Sequence, residues 1–168
     1  MGTNVAVAED EYLAMNFEGP FPDFIDGDLV VRTMPNDQHG ETQLEIGFRF
    51  RQLRDDQSVW ARTEIRLRVG PRRYRIADVA VFRQRPKQLI PELVPLVVVE
   101  IVSPNDTHEE IMARLRDFHA LGVSHIWLAD PGLRSLATYD GTHLTEVLEV
   151  EVPEIGLKLR LDEIILDR

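Results

Sequence analysis

Two apolar, β-branched segments, each interrupted by one acidic residue, constrain this chain more than any other feature of its sequence. YRIADVAVF (74–82) contains Asp78, and PLVVVEIV (95–102) contains Glu100. Both runs predict strands, and the second is apolar on both faces, which indicates a central strand. Because a buried ionised carboxylate is unfavourable unless something compensates it, Asp78 and Glu100 must each have a partner.

The segments around these two strands predict the rest of an α/β domain. Residues 8–16 predict a short acidic helix, residues 37–53 a longer helix with Leu44 and Phe48 four positions apart, and residues 59–69 a half-buried strand with clean alternation. The core order is then helix, three strands, helix, strand. This order is typical of an α/β fold.

Turn and capping signals complete this prediction. Thr107 and Glu110 have the spacing of a capping box, and Gly122 supplies the stop of the helix that they begin. Asp26-Gly27 predicts a hairpin near the start of the chain. After residue 124 the chain predicts three strands with two turns, followed by an amphipathic tail over residues 153–167. The hairpins lie at the periphery of the predicted sheet.

Length and composition favour one domain over residues 1–168, since 168 residues with 43% hydrophobic residues can bury a core without metal or disulfide support. The absence of cysteine excludes disulfide scaffolds, Cys-based zinc sites and thiol nucleophiles. The chain starts without a secretion-signal pattern, and no apolar run is long enough to span a bilayer. We therefore expect a cytoplasmic protein without a membrane partner.

Charge is unevenly distributed along the chain. The net charge is −10, yet the segment from Arg49 to Lys87 contains twelve basic and four acidic residues, a net +8 that leaves −18 for the remainder. A set of solvated strand and helix faces is one interpretation of this segment. The other is a positive surface for a polyanion within an acidic protein.

Motifs for dinucleotide binding, Walker-type phosphate binding, serine hydrolysis and HExxH zinc chemistry are missing from the sequence. Asp78 and Glu100, 22 residues apart on consecutive strands, remain as candidates to converge on one cation. Oxygen ligands of this kind suit Mg²⁺ or Mn²⁺. The alternative is that each carboxylate reaches the sheet edge and pairs with a nearby arginine.

The sequence ADVAVF…PLVVVEIVSPNDTHEEIMARLRDFHALGVSHIWLADP resembles the PD-(D/E)XK nuclease superfamily, and within it the Uma-type family of restriction endonuclease-like proteins. DFIDGDLVV, His39 at the start of the first core helix, and PEIGLKLRLDEIIL extend the likeness over nearly the whole chain. The resemblance implies a mixed β-sheet flanked by helices. It also implies that Asp78, Glu100 and the carbonyl of Ile101 are metal ligands.

Two departures from the family pattern bear on activity. Ala77 replaces a Pro, and Val102 stands where the motif has its catalytic Lys. In the resembling family that Lys generally comes from the following helix, where this chain has Arg114. Arginine cannot act as a general base, although it can hold a phosphate or stabilise negative charge. A catalytic role for Arg114 and a salt bridge to Asp78 or Glu100 are both open.

The resemblance supports a Mg²⁺- or Mn²⁺-dependent endonuclease that hydrolyses DNA, with Asp78, Glu100 and Arg114 in the site. The alternative is a catalytically inactive nuclease-fold protein that binds nucleic acid or serves as an oligomeric partner. A different enzyme or small-ligand binder on the same sheet has no motif to support it. The resemblance, together with unpaired edges on strands such as SLATY (135–139), also predicts a homodimer. An amphipathic tail folded over that edge is the competing prediction.

Overall fold

Helices and strands follow one another in the order that the sequence predicts for its central part. The computed structural model describes residues 6–166. Its helices are α1 (Glu9–Ala14), α2 (Asp37–Gln52), α3 (Arg54–Gln57), α4 (His108–Leu121) and α5 (Leu161–Ile164). Its strands are β1 (Asp23–Ile25), β2 (Asp28–Val30), β3 (Trp60–Gly70), β4 (Arg73–Phe82), β5 (Val97–Ile101), β6 (His125–Asp130), β7 (Ser135–Tyr139), β8 (Leu144–Glu146), β9 (Glu149–Val152) and β10 (Leu157–Arg160).

The main sheet is mixed, as the resemblance implies. Its strand order is β2-β1-β4-β5-β6-β7-β8, and β3 pairs with β4 as well. β5 and β6 are parallel and are joined by the crossover helix α4, whereas the other pairs in this sheet are antiparallel. β9 and β10 form a separate antiparallel hairpin. The result is an α/β architecture with peripheral hairpins.

The central position predicted for β5 is confirmed. All five of its residues are buried, because it lies between β4 and β6 and is covered on both faces. One face packs against α2, the β9–β10 hairpin and α5, through residues such as Phe50, Trp127 and Leu159. The other face packs against α4 through Leu115 and Phe118.

The predicted β1–β2 turn and the predicted ends of α4 both appear in the structure, and both help to position the site. Asp26 and Gly27, with φ of 53° and 107°, form the β1–β2 turn, as expected for a hairpin of this type. The predicted capping box at Thr107 and Glu110 begins α4, and Gly122 ends the helix with φ of 97°. These turns fix the approach of both segments to the sheet.

The buried face of α2 differs from the pair that predicted the helix. Leu44 and Phe48 are 69% and 51% exposed, so the apolar pair points to solvent. The buried stripe comprises His39, Thr42, Ile46 and Phe50. A helical period fits both sets equally well, and tertiary packing against the sheet selects the one that contains His39.

The strand edges differ from the sequence prediction. β7, the strand SLATY, pairs with β6 on one side and β8 on the other, so it has no free edge and the argument for a dimer through it is wrong. The tail after residue 153 packs Ile155, Leu157 and Ile164 into the core beneath the sheet, instead of covering that edge. Within residues 6–166, no helix has both the length and the apolar character needed to cross a bilayer.

Candidate metal centre

Asp78 and Glu100 lie side by side at the centre of the molecule. The β4–β5 register pairs Val79 with Val99, which places Asp78 next to Glu100. The Asp78 backbone N–H donates to Glu100 Oε1 at 3.4 Å, and neither residue is exposed to solvent. The two carboxylates are therefore neighbours across the β4–β5 register, while their sharing of one cation stays a prediction. Ile101 contacts Asp78 through its backbone N–H, which donates to Oδ2 at 2.7 Å, so the ligand role of its carbonyl stays a prediction.

Arg114 projects from α4 toward these carboxylates, which confirms its predicted placement. Its Nε lies 2.8 Å from Glu100 Oε2, and its Nη2 lies 3.3 Å from Asp106 Oδ2. The Nε–H is not directed at an oxygen with hydrogen-bond geometry, so the contact with Glu100 is an ion pair held by charge. Arg114 is itself buried, and its guanidinium ties Glu100 to the loop before α4.

Burial dominates the electrostatics of Glu100. Removal from solvent and, after it, the neighbouring charge of Asp78 raise the pKa of Glu100, while Arg114 and Arg32 lower it, and the net result is a pKa of about 8. The ion pair with Arg114 thus opposes the shift without cancelling it. Glu100 consequently takes up a proton much more readily than an exposed glutamate.

Arg32, in the loop after β2, places a positive charge on Asp78. Its Nη2 lies 2.6 Å from Asp78 Oδ1, and its Nη1 lies 3.3 Å from Glu64 Oε2 on β3. The Arg32 side chain is only 11% exposed. Burial lowers the pKa of Arg32, but the charges of Asp78 and Glu100 outweigh it, and the net shift is upward. One guanidinium therefore bridges two carboxylates from neighbouring strands.

His39 completes a set of ligand atoms around Asp78. Its Nε2 lies 3.7 Å from Asp78 Oδ1 and has no hydrogen-bond partner among residues 6–166. Its Nδ1 lies 3.1 Å from Ser103 Oγ. A neutral imidazole that donates from Nδ1 to this hydroxyl leaves the Nε2 lone pair directed at the site. One atom each of His39, Glu64 and Asp78 lie within 4.8 Å of one another.

Glu64 reaches this position through an unusual backbone conformation. Its φ is 49°, in the left-handed region that a glutamate in a strand rarely adopts. Gln43 from α2 supports it, since Gln43 Nε2 donates to Glu64 Oε1 at 2.8 Å and to the Asp78 carbonyl at 2.9 Å. Strained backbone of this kind is concentrated at functional sites.

A cavity of about 330 Å³ opens onto this centre. Asp78 lines this cavity, whereas Glu100 does not. The lining includes polar groups from α2, β3, β4 and the loops after β2 and before α4, as well as the apolar wall of Pro20, Phe21 and Ile76. The polar lining residues that contact one another are Arg32, Thr33, His39, Gln43, Glu64, Asp78, Ser103 and Asp106.

A family model described as "Uma2: Putative restriction endonuclease" matches residues 9–166. The chain belongs to the Uma2 family. The fold of this Uma2 protein is similar to a crystal structure described as a putative nuclease belonging to DUF820 from Anabaena variabilis ATCC 29413. The TM-score is 0.82 at 20% sequence identity, covering 95% of this chain and 97% of the other. No curated protein sequence matches the chain significantly.

Three residues of the Uma2 site, Arg32, His39 and Glu64, were not predicted as part of it. His39 carried a signal, because His39, Thr42, Ile46 and Phe50 recur at helical spacing and define a buried stripe. Glu64 alternates with apolar neighbours in β3 and looks like an ordinary solvent-facing residue. Arg32 lies between the predicted hairpin and a proline. This segment has no helical or strand periodicity, so the sequence does not predict which way the side chain of Arg32 points.

Proposed function

We propose that this Uma2 protein is a nuclease that uses Mg²⁺ or Mn²⁺ to hydrolyse phosphodiester bonds in DNA, and that it works as a cytoplasmic homodimer. The observation that carries the proposal is the buried His39 Nε2, which lacks a hydrogen-bond partner among the described residues and lies 3.7 Å from Asp78 Oδ1. Unpaired buried nitrogens are unfavourable in a folded protein unless they serve a ligand. Family membership supports the nuclease assignment.

The residues present fit a divalent cation. Arg32 already places a positive group between Asp78 and Glu64, so the two carboxylates are arranged around one cationic centre. His39, Glu64 and Asp78 would hold the ion, and it would supply Lewis-acid polarisation of a phosphate and activation of water. Glu100 would join them only when its ion pair with Arg114 opens. An imidazole among the ligands favours Mn²⁺ over Mg²⁺, which prefers oxygen.

The other residues of the site hold the ligands in place. Gln43 fixes Glu64 against the Asp78 carbonyl, and Ser103 fixes the ring of His39. Arg114 balances the charge of Glu100 and Asp106. We assign Arg114 a positioning role, because both of its contacts are to protein carboxylates and it does not line the cavity beside Asp78.

Mn²⁺ titration calorimetry followed by plasmid cleavage tests the proposal. We expect saturable Mn²⁺ binding that weakens at least tenfold in Asp78→Asn and in His39→Gln, with loss of any cleavage. Glu146→Gln is the matched control, because Glu146 is exposed on β8 and forms no ion pair within residues 6–166. Binding that is equal in Asp78→Asn and in the control would refute the metal site.

A second candidate function has its own observation. Both motif carboxylates are engaged by guanidinium groups, Asp78 by Arg32 and Glu100 by Arg114. This arrangement suits an inactive nuclease-fold protein that binds nucleic acid. DNA binding that is indifferent to Mn²⁺, with no cleavage at any concentration of the ion, would favour this function over the first.

A further inference from the structure

Many arginines of the basic segment are neutralised within the protein. Arg68 pairs with Glu9 at 3.4 Å, Arg73 with Asp117 at 2.9 Å, and Arg75 with buried Asp23 at 2.8 Å. These pairs hold β3 and β4 against α1, β1 and α4. The +8 charge of this segment is therefore not spread evenly over the surface.

Three other arginines from this segment have no such partner. Within residues 6–166, Arg51, Arg62 and Arg85 form no ion pair, and Arg62 donates only to the neighbouring Ala61 carbonyl. They line one open groove of about 610 Å³, together with Arg54, Asp55 and Trp60. Asp55 is paired with Arg54 at 2.9 Å. The groove, which we name the arginine groove, thus keeps three uncompensated positive charges.

The arginine groove lies along the same two elements as the metal centre. Gln43, Gly47 and Arg51 occupy successive turns of α2, and this row runs from the centre to the groove. Gly47 leaves the middle of the row open, because the nearest atom to an added Cβ there is the Thr63 methyl at 3.9 Å. On β3, Glu64 lies at the centre and Arg62 in the groove, only two residues apart.

We propose that the arginine groove binds the phosphodiester backbone of the DNA substrate beside the position that is cleaved. This inference rests on the proposed function, because the metal centre is taken as the point of cleavage. His39 and Arg51 are twelve residues apart in α2, about 18 Å along the helix axis. Duplex DNA spans that distance in about five base pairs, so one duplex can contact both places.

The chemistry of the groove suits phosphodiesters. Guanidinium groups bind phosphate oxygens bidentately and remain charged at any physiological pH. The rest of the chain is strongly acidic and repels DNA, which confines favourable contact to this region. The three unpaired arginines come from α2, β3 and the loop after β4, so they are spread along a path instead of converging on one small anion.

Fluorescence anisotropy with a labelled duplex of about 20 base pairs, in EDTA and about 50 to 200 mM KCl, tests this inference. We expect Arg51→Ser and Arg85→Ser each to weaken binding at least threefold and to reduce the salt slope by about one. Arg116→Ser is the matched control. Arg116 is exposed on α4, also without an ion pair within residues 6–166, and lies outside the groove. It should stay within twofold of the unmodified protein.

Equal weakening in Arg85→Ser and Arg116→Ser would overturn the inference, because it would show a general effect of net charge. No weakening in either groove variant would overturn it as well. The assay contains no free divalent metal ion, so its outcome is separate from that of the proposed function. Mn²⁺-dependent cleavage with normal binding by the groove variants would refute the arginine groove alone, whereas groove-dependent binding without Mn²⁺ binding would refute the nuclease alone.

Discussion

Two arginines form the ion pairs of the carboxylates at the candidate metal centre. Arg32 holds Asp78 and Glu64, and Arg114 holds Glu100 and Asp106. Buried carboxylates need such partners, and removing a partner from a buried pair typically destabilises a protein by about 3 to 5 kcal/mol. A divalent cation would satisfy Asp78 and Glu64 equally well. An ion bound as proposed would therefore compete with Arg32 for these two carboxylates.

This competition predicts the behaviour of Arg32→Ala. Without the guanidinium, Asp78 and Glu64 are free for Mn²⁺, so we expect about tenfold tighter binding, equivalent to about 1.4 kcal/mol. In EDTA the same variant should lose about 3 kcal/mol of unfolding free energy, because Asp78 is left buried without the guanidinium that compensates its charge. Calorimetry and urea unfolding measure the two effects. Arg116→Ala should change neither, and weaker Mn²⁺ binding in Arg32→Ala would contradict competition.

Arg114→Lys separates the two roles left open for this position. A lysine has one ammonium group and cannot hold Glu100 and Asp106 through separate nitrogens, so we expect a loss of about 1 to 3 kcal/mol in unfolding free energy without a gain in Mn²⁺-dependent cleavage. Arg116→Lys, on the exposed face of the same helix, should have no effect. Increased cleavage with unchanged stability would instead indicate that Arg114 stands in a degraded active site.

The pKa of Glu100 predicts a pH dependence of stability. An unfolded glutamate titrates near pH 4.3, whereas burial and then Asp78 raise the pKa of Glu100 to about 8. Between these values the folded state binds more protons than the unfolded state, so stability falls as pH rises through this window. Below the lower pKa both states are protonated and the favourable contribution is fully present.

Glu100→Gln isolates this contribution, because glutamine does not titrate. Urea unfolding in EDTA at pH 5 and pH 8 should show that the native protein loses roughly 2 kcal/mol or more relative to Glu100→Gln over this interval. The comparison of the two proteins removes the titration of every other group to first order. Parallel stability profiles for the two proteins would mean that Glu100 keeps its ordinary pKa in the folded state.

At the scale of elements, α4 carries Arg114 and owes its start to a local signal. Thr107 accepts from the Glu110 backbone N–H at 3.3 Å, and Glu110 Oε2 accepts from the Thr107 backbone N–H at 2.9 Å. We expect Thr107→Ala to lower the unfolding free energy by about 1 kcal/mol in urea denaturation. Thr142→Ala, in the exposed turn before β8, is the control. Equal changes in the two variants would show that the cap contributes nothing.

Local signals explain which elements the sequence predicts well. α4 has a cap, a buried stripe and a terminal glycine, and all three appear in the structure. β4 and β5 are rich in β-branched residues, and the acidic residue within each strand indicates a functional site. By contrast, the exposed pair Leu44 and Phe48 is as periodic as the stripe through His39, and only the sheet beneath α2 distinguishes them.

The rest of the site depends on contacts between distant segments. Arg32 and Asp78 are 46 residues apart, and His39 and Ser103 are 64 apart, so no local pattern links them. Glu64 enters the site because its backbone has a left-handed φ, and the presence of a glutamate in the sequence does not predict that conformation. The sequence therefore predicts the carboxylate pair, whereas tertiary packing determines the histidine and arginine that accompany it.

At the scale of the whole molecule, the positions of paired and unpaired charges determine where a basic surface can form, and the net charge alone does not. Arg68, Arg73 and Arg75 stabilise the contact between the sheet and its surroundings, while Arg51, Arg62 and Arg85 remain uncompensated in the arginine groove. The first three arginines have a structural role, and a surface for a polyanion stays a proposal for the other three. An acidic protein can present a local basic surface because its carboxylates lie, or form ion pairs, in other parts of the molecule.

The predicted homodimer is also a property of the whole molecule. The surface that we now propose for it lies on α2, which packs against β3. Leu44 and Phe48 lie one helical turn apart on the exposed side of α2, which packs against β3 at the margin of the sheet. We propose this pair as part of a homodimer interface, because a two-fold interface would bring the same patch of both copies together and cover it. Two copies joined here would carry two of the proposed metal centres, one for each strand of a DNA duplex.

Light scattering at micromolar concentration tests this assembly. We expect a mass of about twice the 19.3 kDa of one chain, and a shift toward 19.3 kDa in the double variant Leu44→Glu/Phe48→Glu. Leu148→Glu is the control, because Leu148 is 76% exposed but lies just before β9, away from α2. A mass of 19.3 kDa for the unmodified protein would refute the dimer, and a dimer that survives the double variant would place its interface on another face. In either case the candidate metal centre would be unchanged, because neither Leu44 nor Phe48 is among its ligand atoms or lines its cavity.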